Sequence, residues 1–150
     1  IDNKHPRIFL NTQYRMNEAI CNIVSELFYD SKLLSDPGFQ SQVKSSSQYK
    51  DLLCYKHSIS FYNIQSSSEI NINKSYINKI ESDAIVNFIR VLSDKIMKTN
   101  YVDIPSIGII SPYKEQVKLL NDIIQENVNL SKEVKQFIKV ETVDSFQGQE

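Results

Sequence analysis

Three short stretches carry residue types that could act on a ligand. The first is Leu10-Asn11-Thr12-Gln13-Tyr14-Arg15-Met16, a polar loop in which an aromatic ring stands beside a guanidinium. Tyr14 could stack on a planar ligand, and Arg15 could grip a phosphate through two parallel N–H donors. A surface arginine beside a half-buried tyrosine has the same spelling. The second is Ser111-Pro112-Tyr113, directly after Ile107-Gly108-Ile109-Ile110. That run has no polar residue and is expected to be a strand covered on both faces. Ser111 suits a helix N-cap and Pro112 the first helical position, so free N–H groups would point at a ligand crevice, where phosphate is the natural guest. Ser-Pro also starts helices that hold no ligand.

The third stretch ends the chain. Phe137, Ile138, Val140 and Val143 are β-formers, and they give way to Thr142, Asp144, Ser145, Gln147, Gln149 and Glu150. A strand that opens into so many hydrogen-bonding groups is expected at the carboxyl edge of a parallel sheet, where ligands collect. The chain has only three glycines, so Gly148 is expected where a side chain would block the backbone or a ligand. A capped strand-to-helix loop with an ordinary glycine turn accounts for the same letters.

The elements that must position these groups follow from periodicity. Asn17 suits an N-cap, and Ile20, Ile23, Val24, Leu27 and Phe28 recur at helical spacing as a core-facing stripe, with failure expected near Asp30-Ser31. Asp36-Pro37-Gly38 is a turn signal. Residues 38–56, rich in Ser, Gln and Lys, read as a polar flexible loop. Ile59 to Ile64 has β character, Gln65 to Ser75 is polar, and Ile8-Phe9-Leu10 could pack on a sheet. Asn78 with Glu81 resembles a capping box, opening a helix whose buried stripe is Ile85, Phe88, Ile89, Leu92 and Ile96 and which ends near Thr99-Asn100. A further helix after Ser111 should face Val117, Leu120, Ile123 and Ile124 inward. Alternating helices and strands argue for a parallel α/β sheet flanked by helices.

Composition narrows the field little. With 150 residues, 41% of them apolar and 23% charged, the chain suits a single globular domain. A net charge of −1 gives no field that would gather nucleic acid, so any such binding must come from local groups. Cys21 and Cys54 have no CxxC partner, and His5 and His57 match no metal spacing, so two reduced thiols and no zinc are expected. No apolar run reaches membrane-span length and no signal peptide is evident, so an intracellular protein that does not use a membrane is expected.

Taken together, Leu10 to Met16, Ile107 to Gln116 and Val143 to Glu150 resemble the signature segments in the second RecA-like domain of superfamily-one helicases, of the nonsense-mediated-decay and senataxin type. Ser75 to Glu81 is similar, more weakly, to the family's segment before its long helix. The resemblance runs over nearly the whole chain and implies a RecA-like, P-loop NTPase-like fold. It also implies half of an ATP-dependent helicase or translocase motor, moving 5′-to-3′ on single-stranded RNA or DNA, with RNA or RNA–DNA hybrids as the duplexes unwound. Nucleus or cytoplasm would follow, the senataxin likeness favouring the nucleus.

Residue roles follow from the same resemblance. Tyr14 would stack near the adenine and Arg15 would be the catalytic group at the γ-phosphate. Gln13, Gly148 and Glu150 would belong to the nucleotide site, Glu150 accepting from the ribose hydroxyls, and Gln147 would couple nucleotide to track. Ser111, Pro112, Tyr113 and Thr142 would line the nucleic-acid groove, touching phosphates and sugars rather than base edges. Gln116 matches the pattern without an assigned contact. No G-x-x-x-x-G-K-[ST] occurs, and no Asp-Glu pair precedes Gln13. The ligands of Mg2+ are therefore expected in a first RecA-like domain elsewhere in the same protein. The chain reads as an excised piece, cut before the family's next strand and inactive toward ATP by itself. A non-catalytic RecA-like scaffold for nucleic acid or protein, or a regulator that binds a mononucleotide, are the competing readings.

Overall fold

Asparagine side chains start both of the helices whose beginnings the sequence marks with one. In the computed structural model, which describes residues 8–39, 59–65, 69–72, 74–98 and 106–146, Asn17 Oδ1 accepts from Ile20 N–H at 3.0 Å and Asn78 Oδ1 from Glu81 N–H at 3.1 Å. Each bond satisfies an amide that the first helical turn leaves without an intrahelical acceptor. The chain divides into two units, Ile1–Phe61 and Tyr62–Glu150. Most of the expected loop at 38–56 falls outside the described residues.

The first unit contains β1 (Thr12–Gln13), α1 (Glu18–Phe28) and β2 (Leu34–Ser35), with β1 and β2 parallel and Gln13 opposite Ser35. The end of α1 comes where expected: Asp30 and Ser31 take positive φ of 50° and 59°, and Ser31 N–H returns to Ser25 O at 2.9 Å. The inward face of α1 corrects the expectation. Cys21 and Ser25 are its buried residues, whereas Leu27 is 67% and Phe28 75% exposed. Short polar contacts explain the choice, since Ser25 Oγ accepts from Leu33 N–H at 2.9 Å and Cys21 Sγ donates to Leu33 O at 3.9 Å. Only small side chains at these positions let the backbone before β2 come so close. Ile8, Phe9 and Leu10 form no strand and are exposed. At the turn signal, Asp36 accepts from Phe39 N–H at 2.8 Å.

The second unit runs β3 (Glu69–Ile72), β4 (Ser75–Asn78), α2 (Lys79–Lys98), β5 (Ile107–Ile110), α3 (Lys114–Glu126), α4 (Lys132–Lys135), β6 (Ile138–Glu141) and α5 (Val143–Phe146). β5 and β6 are parallel, in register from Ile107 opposite Ile138 to Ile110 opposite Glu141. Val86, Ile89, Leu120, Ile124, Leu130 and Val140 form the core, with Val117, Ile123 and Ile109 packed against it. Burying each Ile or Leu there contributes about 1.5–3 kcal/mol. The α3 stripe is as expected. In α2 the stripe shifts: Val86 is buried and Phe88 is 42% exposed.

Four expectations are corrected. Ile59 to Ile64 carries no strand, and Ile59, Phe61 and Tyr62 are exposed, so they gain little of the burial that draws a β-former into a sheet. The stretch read as a polar connection instead forms the antiparallel β3–β4 hairpin, Ile70 opposite Ile77 and Asn71 opposite Tyr76, with Lys74 at φ 63° in its turn. β5 is half-open, not covered on both faces: Ile107 and Ile109 lie inward while Gly108 and Ile110 lie outward. Val143 begins the short α5 where the sequence suggested strand.

Candidate functional site

Gln13 builds the loop that carries Tyr14 and Arg15. Its Oε1 accepts from Arg15 N–H at 2.8 Å and from Met16 N–H at 2.6 Å, while its Nε2 donates to Met16 O at 2.8 Å and to Ser35 Oγ at 2.7 Å. One side-chain amide thus takes the place of the ladder that ends with β1, and the Ser35 bond ties the loop to β2. Both polar atoms of Gln13 are engaged, on the loop and on Ser35. Outside it stand the Tyr14 ring, 63% exposed, and the exposed Arg15. An aromatic face and a planar cation on adjacent residues can take a purine and a phosphate of one ligand.

In the second unit, Ser111 and Thr142 each lie one position beyond the last registered pair of β5 and β6, so the topology brings both to the carboxyl edge of this parallel pair. Ser111 N–H donates to Glu141 O at 3.2 Å, which extends the pairing by one bond. Thr142 and Ser145 hydroxyls meet at 3.0 Å, and the amides of Ser145 and Phe146 return to Thr142 O, folding α5 over the strand end. The Phe146 ring then lies on Gly108, where an added Cβ would come 3.4 Å from its Cζ, with Lys139 Nζ 5.8 Å from the ring centroid. Gly108 and Lys139 are registered partners, so the ring sits on one rung of the sheet.

The expected N-cap is corrected. α3 begins at Lys114 with Tyr113 at the cap position, and Ser111 Oγ accepts from Tyr113 N–H at 3.2 Å, tightening the approach without capping the helix. Glu115 N–H goes to Ser75 Oγ at 3.3 Å, so one amide of the helix start is held by β4. Ser111 is buried, while Pro112 and Tyr113 are exposed. Tyr113 meets Tyr76 edge-on, centroids 5.2 Å apart and planes at 65°. Both rings line a cleft with Glu69, Glu81, Ser111 and Gln116.

Gln116, which the sequence left without a contact, is buried and binds the backbone of Asn78 from both sides: Asn78 N–H donates to its Oε1 at 2.8 Å and its Nε2 donates to Asn78 O at 3.1 Å. Nε2 also reaches Ser82 Oγ at 3.1 Å, and Ser82 Oγ donates to Asn78 O at 3.1 Å. Of the expected capping box the Asn78 half forms as written, and the Asn78 amide goes to Gln116. A polar residue in place of an apolar one on the inner face of α3 was the available sequence signal.

Tyr14, Arg15 and Gln13 lie in the first unit, and Ser111, Pro112, Tyr113 and Thr142 in the second. Gln147, Gly148 and Glu150 lie outside the described residues. Among the described residues no three His, Cys, Asp or Glu side chains converge on a metal-sized space, and no helix is long and apolar enough to cross a membrane.

A family model described as an AAA domain matches residues 1–150. The chain is 30% identical over 156 residues to the DNA polymerase alpha-associated DNA helicase A of Saccharomyces cerevisiae, covering 95% of this chain and 21% of that protein. It is 30% identical over 150 residues to the regulator of nonsense transcripts 1 of Dictyostelium discoideum, covering 94% and 10%. It is 30% identical over 145 residues to the probable helicase senataxin of Homo sapiens, covering 97% and 5%. The chain therefore spans about a fifth or less of the length of these relatives.

Proposed function

The chain belongs to the AAA domain family, with the α/β RecA-like fold of a superfamily-one helicase of the nonsense-mediated-decay and senataxin type, and we propose that it is the second RecA-like domain of an ATP-driven motor. In this reading it forms one wall of the nucleotide crevice and one side of the strand groove. A first RecA-like domain of the same protein forms the other wall and holds Mg2+ and most of the phosphates. The motor moves 5′-to-3′ on single-stranded RNA or DNA and separates RNA or RNA–DNA duplexes, in the nucleus or the cytoplasm. Its relatives are named for DNA helicase activity and for nonsense transcripts alike, so the track is left as either nucleic acid.

The observation that carries this reading is the loop built by Gln13. Its amide fixes the backbone of Arg15 and Met16, is itself tied to Ser35, and leaves the Tyr14 ring open beside the exposed Arg15. That donor set fits ATP: an aromatic face for the adenine and a guanidinium for the γ-phosphate, where charge builds as the terminal phosphoryl leaves. ATP supplies the free energy of stepping, and these residues bind and orient it. By the same family likeness Gly148 and Glu150 are proposed as nucleotide contacts, Gln147 as a coupling residue, and Ser111, Pro112, Tyr113 and Thr142 as contacts to the strand.

The test is ATP hydrolysis by the full-length protein, measured alone and with single-stranded RNA or DNA. The reading expects hydrolysis that either strand stimulates, and the ratio of the two stimulations identifies the track. Hydrolysis absent with both strands would support a non-catalytic scaffold instead.

A further inference from the structure

We propose that the cleft between β4 and the start of α3 holds a nucleobase of the single strand against Tyr76 and Tyr113, and does not hold a phosphate. This rests on the nucleic-acid reading above and names the part of the strand that the cleft takes. The two rings meet edge to face, yet Tyr76 stays 37% and Tyr113 41% exposed, so each keeps aromatic surface for a third ring. Bases of any sequence offer a π-face to such a surface, which suits a motor that must pass over every sequence.

The mounts of both rings are fixed. Tyr76 is flanked by two residues of β4 that α3 holds, Ser75 through Glu115 N–H and Asn78 through Gln116. Tyr113 is held through its own N–H to Ser111 Oγ. Two consecutive residues of α3, Glu115 and Gln116, therefore fix the strand on both sides of Tyr76, and stacking there orders little that is not ordered already.

Charge decides which part of the strand enters. Glu69 and Glu81 line the cleft and none of its lining residues is Lys or Arg, so a phosphate would face two carboxylates with no lining side-chain cation to offset them. A base carries no charge, and the exocyclic amines of adenine, cytosine and guanine can donate to carboxylates. Tyr113 is thereby reassigned from the sugar–phosphate track to the bases, and Tyr76 joins it.

The experiment compares two strands and three proteins. Fluorescence anisotropy is measured for the full-length protein with a labelled single-stranded oligomer and with a version of equal length abasic throughout, in RNA and in DNA. Tyr76→Ala should weaken binding of the base-bearing strand by about five-fold or more and leave the abasic strand unchanged, and Tyr76→Phe should restore the wild-type difference. Equal weakening of both strands, or no weakening of either, would overturn the base platform while leaving the nucleic-acid reading intact. Failure of the unaltered protein to bind either strand would overturn both. Melting temperatures of the variants separate loss of stacking from loss of fold.

Discussion

The Gln116 side chain pairs with the backbone of Asn78 as a neighbouring strand would, accepting its N–H at 2.8 Å and donating to its carbonyl at 3.1 Å. Asn78 closes β4 and, through its own side chain, caps α2. One amide on α3 therefore fixes the junction between a strand and the longest described helix, and the cleft carrying Tyr76 and Tyr113 opens beside it.

Gln116→Ala should be costly despite changing nothing charged. It takes the Gln116 acceptor from the buried Asn78 amide and one side-chain donor from the Asn78 carbonyl, which keeps Ser82 Oγ. A buried polar group left unpaired costs about 1–3 kcal/mol, and that loss should appear as a lower urea midpoint with an unchanged slope. Gln116→Glu should also destabilise, since a carboxylate accepts from Asn78 N–H but cannot donate to its carbonyl. A midpoint equal to wild type for both variants would mean the pairing carries no net stability.

Gln13→Ala should act on chemistry more than on folding. The amide it removes holds the Arg15 and Met16 N–H groups, which can turn to water in an exposed loop, so the stability change should stay within about 1 kcal/mol. ATP turnover in the full-length protein should fall at least tenfold, because a catalytic group displaced by an ångström loses about two orders of magnitude. Wild-type turnover in Gln13→Ala would show that the loop holds its geometry by other means.

Gly108 separates two substitutions that look alike. An alanine Cβ would sit 3.4 Å from Phe146 Cζ, an ordinary contact, so Gly108→Ala should shift stability by less than about 1 kcal/mol. Gly108→Ile would drive further carbons into the ring, and overpacking of that kind costs about 1–3 kcal/mol. Denaturation of the two variants side by side is the measurement. If Ile were tolerated as well as Ala, the ring would not be seated on this glycine.

How much of this was legible in the letters depends on how local the cause was. Asn17, Asn78 and the inward residues of α3 act within one helical turn, and the sequence places them. The hairpin was hidden because its turn contains Lys74 in a left-handed conformation, and lysine is no turn signal. The α1 stripe misled because its large apolar residues were weighed over Cys21 and Ser25, whose small size lets Leu33 approach. Ser111-Pro112 reads as a helix start, but Ser111 Oγ is taken by Tyr113 N–H and the helix begins later. The roles of Gln13 and Gln116 were out of reach for another reason. Gln13's bond to Ser35 spans 22 residues and Gln116's to Asn78 spans 38, and only the folded backbone brings these partners within bonding distance.

Arg15 carries the central claim, that this chain presents a γ-phosphate contact to a nucleotide shared with another domain. The direct measurement is nucleic-acid-stimulated ATP turnover of the full-length protein with Arg15→Ala, alongside its affinity for a non-hydrolysable ATP analogue. Turnover should fall by about 10³-fold or more, as expected for loss of an arginine that neutralises transferring phosphoryl charge, with analogue binding within a few-fold of wild type. Turnover equal to that of the unaltered protein would contradict the account.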